Sequence, residues 1–243
     1  NINQTMEISI EEFDIMAQKA YEVGDASGAL GTDILEMMKI YANANETVES
    51  LNAKIAGTTA FQNVSGLSGT DATNALQTII NQFKLTTEGG YSAGDAITYV
   101  GDAITGVAYS LSKDEGDAMR EIISAVEDAG SVVESAGGSL EWYAAVTGTL
   151  AETVNATGSE VGGAMRMITA RTLQQKEAFD ELNDSGEETE VAMANAEKAL
   201  SGLGISIRES DGDLRSIEEV LGDVAAKWQT LSDSDQQFVA EKL

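Results

Sequence analysis

Ser216-Ile217-Glu218-Glu219-Val220-Leu221-Gly222-Asp223-Val224-Ala225-Ala226-Lys227-Trp228 is the stretch from which the fold class is read. Ile217, Val220, Leu221, Val224, Trp228 and, just beyond, Leu231 recur at the three- and four-residue spacing of a single helix face. Ser216 and Glu219 stand where a capping box needs them. The Ser oxygen can accept the third helical N–H, and the Glu can reach back to the Ser N–H. The reading is an amphipathic helix over 216–231, opened by a box and packed through one stripe, with Trp228 in its core.

Immediately upstream the period changes. Gly204-Ile205-Ser206-Ile207-Arg208 alternates apolar and polar, Asp211-Gly212 offers a turn, and Leu214-Arg215 follows. Alternation of period two around a turn with positive backbone dihedrals reads as a small β-hairpin near residues 204–215. Ile205 and Ile207 would share one face of it and pack on the following helix.

Elsewhere the helical period returns. Phe13, Met16, Ala17, Ala20 and Tyr21 repeat it, as do Ala72, Ala75, Leu76, Ile79, Ile80 and Phe83, and Ala118, Met119, Ile122, Ile123 and Val126. Ser9 with Glu12, Ser112 with Glu115, and Ser185 with Glu188 also fit the capping box. Glycines at Gly24 and Gly137-Gly138 read as stops. The map is of about ten helices, near 9–23, 32–43, 46–61, 70–84, 93–111, 113–135, 139–154, 159–182, 187–201 and 216–231, with another starting near Ser234. The fold class is therefore all-α: a compact multi-helix module with one small hairpin. Proline is absent from all 243 residues, and the commonest helix breaker is thereby missing.

The domain division expected is a helical region over 1–182 and a helix-hairpin-helix subdomain over 183–243, or one continuous domain. The acidic stretch Asn183 to Glu190 would be the loop between them, and Gly89-Gly90 is a second candidate hinge. The opening Asn1-Ile2-Asn3 and the close at Leu243 suggest a segment cut from a longer chain. No internal repeat and no sustained heptad is found, so a long coiled coil is not expected.

Composition narrows the function. There are 41 acidic and 14 basic side chains, a net charge of −27. Such a surface opposes nucleic acid and anionic membranes, which are bound through Lys and Arg clusters. Solubility is the first role of this charge, repulsion of DNA the alternative. Cysteine and histidine are both absent, so no disulfide, thiolate or imidazole metal site and no Ser-His-Asp arrangement is available. Carboxylate chemistry remains, but with so many acids the requirement for a pair discriminates nothing. Glu141 beside Trp142 and Tyr143 is the most enzyme-like neighbourhood, and it reads better as a helix start after Ser139. EF-hand frames fail: one puts Ile207 at the first ligand position, and the other puts Phe238 where glycine is required. Glu209, Asp211 and Asp213 could hold at most a weak cation. Gly202-Leu203-Gly204 lacks the order of a dinucleotide loop. The sequons at Asn3, Asn45, Asn63 and Asn155 carry no weight in a Thr- and Asn-rich chain. No apolar run approaches the length of a membrane span. The expectation is no enzyme, no cofactor, no metal, no direct nucleic-acid binding and no membrane contact.

The stretch from Leu200 through Ile217, with Val220-Leu221, Trp228 and Leu231-Ser232, resembles the core of the phage tail tape measure family. The shared pattern is an Ala/Leu helix, a Leu-Gly-Ile entry, a polar Gly turn and a capped helix ending in Trp. Gly162 to Arg171 is similar to the helix that precedes this signature. Asn63 to Leu67, Asn74-Ala75-Leu76 and Gln82-Phe83 are similar to the family's N-terminal core, so the resemblance spans about 15–243. The residues that carry it are structural: Gly204, Ile205, Ile207, Asp211, Gly212, Ser216, Glu219 and Trp228. The resemblance implies a virion tail component, present in the host cytoplasm during assembly, that sets tail length. It would sit in the tube lumen with tube subunits built around it and leave before DNA passes. Implied partners are tail tube proteins, tail-tip or initiator proteins and other copies of itself. The chain departs from the family in lacking long coiled-coil stretches. The alternative from another class is a generic acidic helical interaction module, such as a surface or secreted domain.

Overall fold

A computed structural model describes residues 9–28, 30–42, 47–175 and 188–243. Among them are eleven α-helices: α1 (Ile10–Ser27), α2 (Gly31–Tyr41), α3 (Val48–Ser65), α4 (Gly69–Gln82), α5 (Ala93–Ser110), α6 (Glu115–Ser135), α7 (Leu140–Thr153), α8 (Gly158–Thr172), α9 (Thr189–Gly202), α10 (Ile217–Trp228) and α11 (Asp233–Lys242). The all-α expectation holds, and most helix bounds lie within a few residues of those read from the sequence.

The starts follow from side-chain oxygens that satisfy otherwise orphaned N–H groups. Ser9, Thr47, Ser68, Ser92, Ser139, Thr157, Ser216 and Ser232 each accept from the residue three places on. The boxes at Ser9–Glu12 and Ser216–Glu219 form as expected, and Thr157–Glu160 adds one not anticipated. α6 starts later than the box expected at Ser112 requires, at Glu115. Asp114 caps it instead, its Oδ1 accepting the Asp117 N–H at 3.1 Å. The Ser185 box and most of the acidic stretch from Asn183 lie outside the described residues.

Two stops also differ. Gly24 sits inside α1, which runs on to Ser27 and closes on Gly28 at φ 74°. The helix expected over 159–182 breaks after Thr172, where Gln174 takes a left-handed conformation at φ 56°, and positions 176–182 of that expectation lie outside the described residues.

The chain divides into two compact units, Asn1–Ile123 and Ser124–Leu243. The division falls inside α6, and Gly89-Gly90 lies within the first unit. The expected boundary at 182/183 lies outside the described residues.

In the first unit α3 packs against α1, α2, α4 and α5. A helix with neighbours on so many sides cannot be sharply two-faced, and Thr58 and Thr59 on it are fully buried beside Leu51, Ile55 and Phe61. Buried hydroxyls need partners. Thr58 shares a 2.6 Å hydrogen bond with the Tyr41 hydroxyl, and Thr59 donates to Met37 Sδ at 3.8 Å. The stripe on α4 is buried along its length, from Ala72 to Phe83. On α1 the buried part is narrower than the sequence pattern. Met16 and Ala20 are inside, whereas Tyr21 is exposed.

In the second unit α7 packs on α8, α8 on α9, and α9 on α11. Ala170, Ala192 and Met193 form one apolar cluster, with Met167 against it. Aromatic residues are few, so much of this interior is built from Ala, Val and Met.

Candidate functional site: the clasp around residues 200–231

The stretch expected to be a β-hairpin forms no strand. A single antiparallel bridge joins Arg208 and Leu214. The cause is space: α9 closes through Leu203 and Gly204, and Ser216 already caps α10. The turn between the arms also takes four residues, with Gly212 donating to the Glu209 carbonyl at 3.1 Å and Glu209 to the Asp213 carbonyl at 2.8 Å. Asp211 Oδ1 accepts the Asp213 N–H at 3.2 Å, and of the two positive backbone dihedrals expected at Asp211-Gly212 only that of Gly212 is found, at φ 100°. Ile205 and Ile207 are both buried.

Basic side chains hold this loop. Arg215 donates to the Ser206 carbonyl and pairs with Asp223 on α10, both at 2.9 Å. Arg208 donates to the Gly212 carbonyl and to Gln174 Oε1, each at 3.1 Å, and lies 3.8 Å from Glu197. Lys227 Nζ reaches the Leu203 carbonyl at 2.6 Å and that of Gly204 at 3.2 Å. A cation thus closes the C-terminal end of α9, where carbonyls lack helical partners and the helix dipole is negative. The sequence reading missed these three roles. The signal was there: in a chain with 14 basic residues, Arg208, Arg215 and Lys227 fall within one short stretch.

The start of α10 docks on the turn between α6 and α7. Ile217 donates its N–H to the Ala136 carbonyl at 2.8 Å. Glu218 Oε2 accepts from both the N–H and the hydroxyl of Ser139, at 3.3 and 3.0 Å. Gly137 and Gly138 close α6, Gly137 at φ 73° with its N–H on the Glu134 carbonyl at 2.8 Å. A side chain on Gly137 would meet Ser216 Cβ at 2.9 Å, and one on Gly138 would meet Val133 Cγ1 at 2.6 Å. The glycines expected as a stop are also a docking surface.

Trp228 does not occupy the core position that its stripe suggested. Ile217, Val220 and Val224 are buried, but Trp228 is half-buried at the end of the helix. The helix stops there, and the Trp228 carbonyl instead accepts the side-chain amide of Gln236 from α11 at 2.8 Å.

A cleft of about 580 Å³ opens beside the clasp, lined in part by Gly137, Gln174, Gln175, Leu214 and Arg215. Its hydroxyls are already engaged. Ser135 Oγ accepts from Gln175 Nε2 at 3.1 Å, and Ser216 Oγ serves the capping box. Among the described residues no three acids gather to hold a metal ion, and Glu209, Asp211 and Asp213 are spread along the turn. The Glu141 neighbourhood is likewise a helix start, with Tyr143 buried and its hydroxyl donating to the Ala125 carbonyl at 2.8 Å. No helix among the described residues is long and apolar enough to cross a membrane.

A family model described as phage-related minor tail protein matches residues 17–243. The chain belongs to that family. The matched region takes in the clasp and nearly every helix. Membership makes this a phage tail protein, with a structural role at the virion tail. No solved structure matches it. The clasp is thus a feature of a phage tail protein that ties the ends of α6 and α9 to α10 through backbone and charged contacts.

Proposed function

We propose that this phage tail protein is a module of a tail tape measure protein, acting in tail assembly and tail-length determination. The observation that carries the reading is the stretch from Leu200 to Leu231. The residues behind the tape measure resemblance act there as one unit: Gly204 after α9, the Asp211-Gly212 turn, the boxed start of α10 and its terminal Trp228. Its partners are tail tube subunits, tail-tip or initiator proteins and other copies of the same chain. The role is structural rather than catalytic. The chain has no histidine or cysteine, and the Ser135 and Ser216 hydroxyls lining the cleft beside the clasp are committed to holding helix ends.

DNA is not a ligand in this reading. The net charge of −27 opposes phosphates, and the basic cluster of Arg208, Arg215 and Lys227 is tied to acceptors within the fold. Micromolar, salt-sensitive binding of duplex or single-stranded DNA in an anisotropy assay would contradict that part.

The helices are short and most open on a side-chain cap, so the segment serves assembly as a folded body and not as a length of ruler. The test is an in-frame deletion in the phage, read by electron microscopy. Blocked or misdirected tail assembly is expected. Viable virions with tails shorter by about 365 Å, the length of 243 residues as continuous helix at roughly 1.5 Å each, would overturn the folded-body reading and make the segment part of the ruler.

A further inference from the structure

In the first unit α3 and α5 approach closely at three places where one of the two facing residues is glycine. A side chain on Gly57 would meet Ile97 Cγ2 at 2.7 Å, one on Gly94 would meet Ala53 Cβ at 2.9 Å, and one on Gly101 would lie 3.6 Å from Phe61. The pairs 53/94, 57/97 and 61/101 rise together, so the two helices run parallel, in register every three or four residues. Close approach of two helix backbones leaves a shallow groove along the outer side of the pair. It has a volume of about 270 Å³ and is lined from α3 by Gly57, Ala60 and Val64 and from α5 by Thr98, Gly101 and Tyr109, with Phe61 as floor. Val64 and Tyr109 stand exposed at one end, at 40% and 53%. The spacing of the lining on each helix is that of one continuous face, and this is the shape that receives a third helix in helix-in-groove recognition.

Charge selects the occupant. Among the described residues, the one charged side chain lining the groove is Asp102. The charged residues of α3 and α5 are Glu49, Lys54, Asp95 and Asp102, and Lys54 lies outside the lining, over the Tyr41 ring at 5.4 Å. Near the C-terminal end of α3, Arg120 is paired with Asp117 at 2.7 Å. A second copy of this chain would bring a further net charge of −27, which opposes self-association through this face.

We propose that the groove between α3 and α5 docks an amphipathic helix of another protein, with small and apolar residues along its buried stripe and Lys or Arg beside it. This stands apart from the tape measure reading, because it rests on the shape and charge of the first unit alone.

The test uses the whole chain at physiological ionic strength and three designed, labelled helical peptides read by fluorescence anisotropy. One carries a Leu/Ala stripe flanked by Lys, the second the same stripe flanked by Glu, and the third the first composition scrambled so that no stripe forms. The Lys-flanked peptide binds and the other two do not. Ala60→Arg, at an exposed position in the groove, weakens binding by about tenfold or more, and Tyr109→Ser weakens it in the same direction. Glu141→Gln changes the net charge by the same amount outside the groove and alters affinity by less than about twofold. Equal binding of the scrambled peptide, equal weakening by Glu141→Gln, or preference for the Glu-flanked peptide would each overturn the proposal. So would a dimer of the chain that Ala60→Arg disrupts, since the occupant would then be a second copy.

Discussion

Glu218 completes the cap of a helix that begins at Ser139, 79 residues earlier. In a capping box the third helical residue is a Glu that returns to the N-cap N–H. In α7 that residue is Trp142, which has no carboxylate. Glu218, in the first turn of α10, accepts the Ser139 N–H and hydroxyl in its place. Ser139 Oγ meanwhile accepts the Trp142 N–H at 3.2 Å. The local cap of one helix and the docking of another are therefore one hydrogen-bonded unit.

Ser139→Ala and Glu218→Ala should each destabilise the chain by about 1 kcal/mol, the usual cost of an N-cap or a charge-assisted hydrogen bond at a wet site. The double variant should lose less than the sum, with a coupling of about 0.5 kcal/mol or more. Denaturant melts of the four proteins measure this. Strict additivity would mean that the carboxylate and the hydroxyl act separately.

Gly137 and Gly212 both have positive φ, and they separate two costs of replacing glycine. Nothing lies within 4 Å of the Cβ position at Gly212, whereas at Gly137 the new carbon sits 2.9 Å from Ser216 Cβ. Gly212→Ala should cost about 1 kcal/mol of backbone strain alone. Gly137→Ala adds a collision in the docked turn and should cost about 2–3 kcal/mol. Equal losses in thermal melts would show that α10 does not seat on this turn.

Trp228→Ala should cost about 1–2 kcal/mol rather than the 3–5 kcal/mol typical of a fully buried large aromatic, because the ring is half-buried. A loss of about 4 kcal/mol would restore the ring to the core, and unchanged melts would make it a contact surface for a partner.

These cases show what the sequence could carry. Helix period and local caps are written within a few residues, so α4, α10 and the boxes at Ser9 and Ser216 were legible. The end of α8 was not. Gln174 and Gln175 are good helix formers, and the left-handed turn there is sustained by distant partners: Glu197 and Arg208 on Gln174, Val132 and Ser135 on Gln175. The loop before α10 misled for a related reason. Alternation at Ile205 and Ile207 reports that both are buried, which a loop crossing the core achieves as readily as a strand. Trp228 fits its stripe by period, but period says nothing of how far the packing partner extends. At the clasp, Asp211-Gly212 and Ser216–Glu219 were visible as local motifs. The longer-range contacts of Arg208, Arg215, Lys227 and Glu218 were not, because nothing in local spacing names a partner so far along the chain.

Two buried phenols should weaken the fold in alkali. Burial pushes Tyr41 up to about 12, against the opposing hydrogen bonds of Thr58 and Thr73. Burial, with the charge of Asp128, raises Tyr143 as well. In the unfolded chain both titrate near the ordinary phenol value of about 10. A raised folded value means that the unfolded state gives up its proton first. The stabilisation is therefore complete below about pH 10 and is lost as pH climbs through the folded value. For Tyr41 the loss is on the order of 2–3 kcal/mol by about pH 12. Tyr41→Phe removes the ionisable group and the 2.6 Å bond to Thr58, so it should be less stable than the parent at pH 8 by about 1 kcal/mol. Its stability should then fall less steeply above pH 10, Tyr143 being common to both proteins. Urea melts followed by circular dichroism at pH 8, 10 and 11.5 give the comparison. If parent and variant lose the same stability over that range, Tyr41 titrates as an exposed phenol and its burial beneath α3 is wrong.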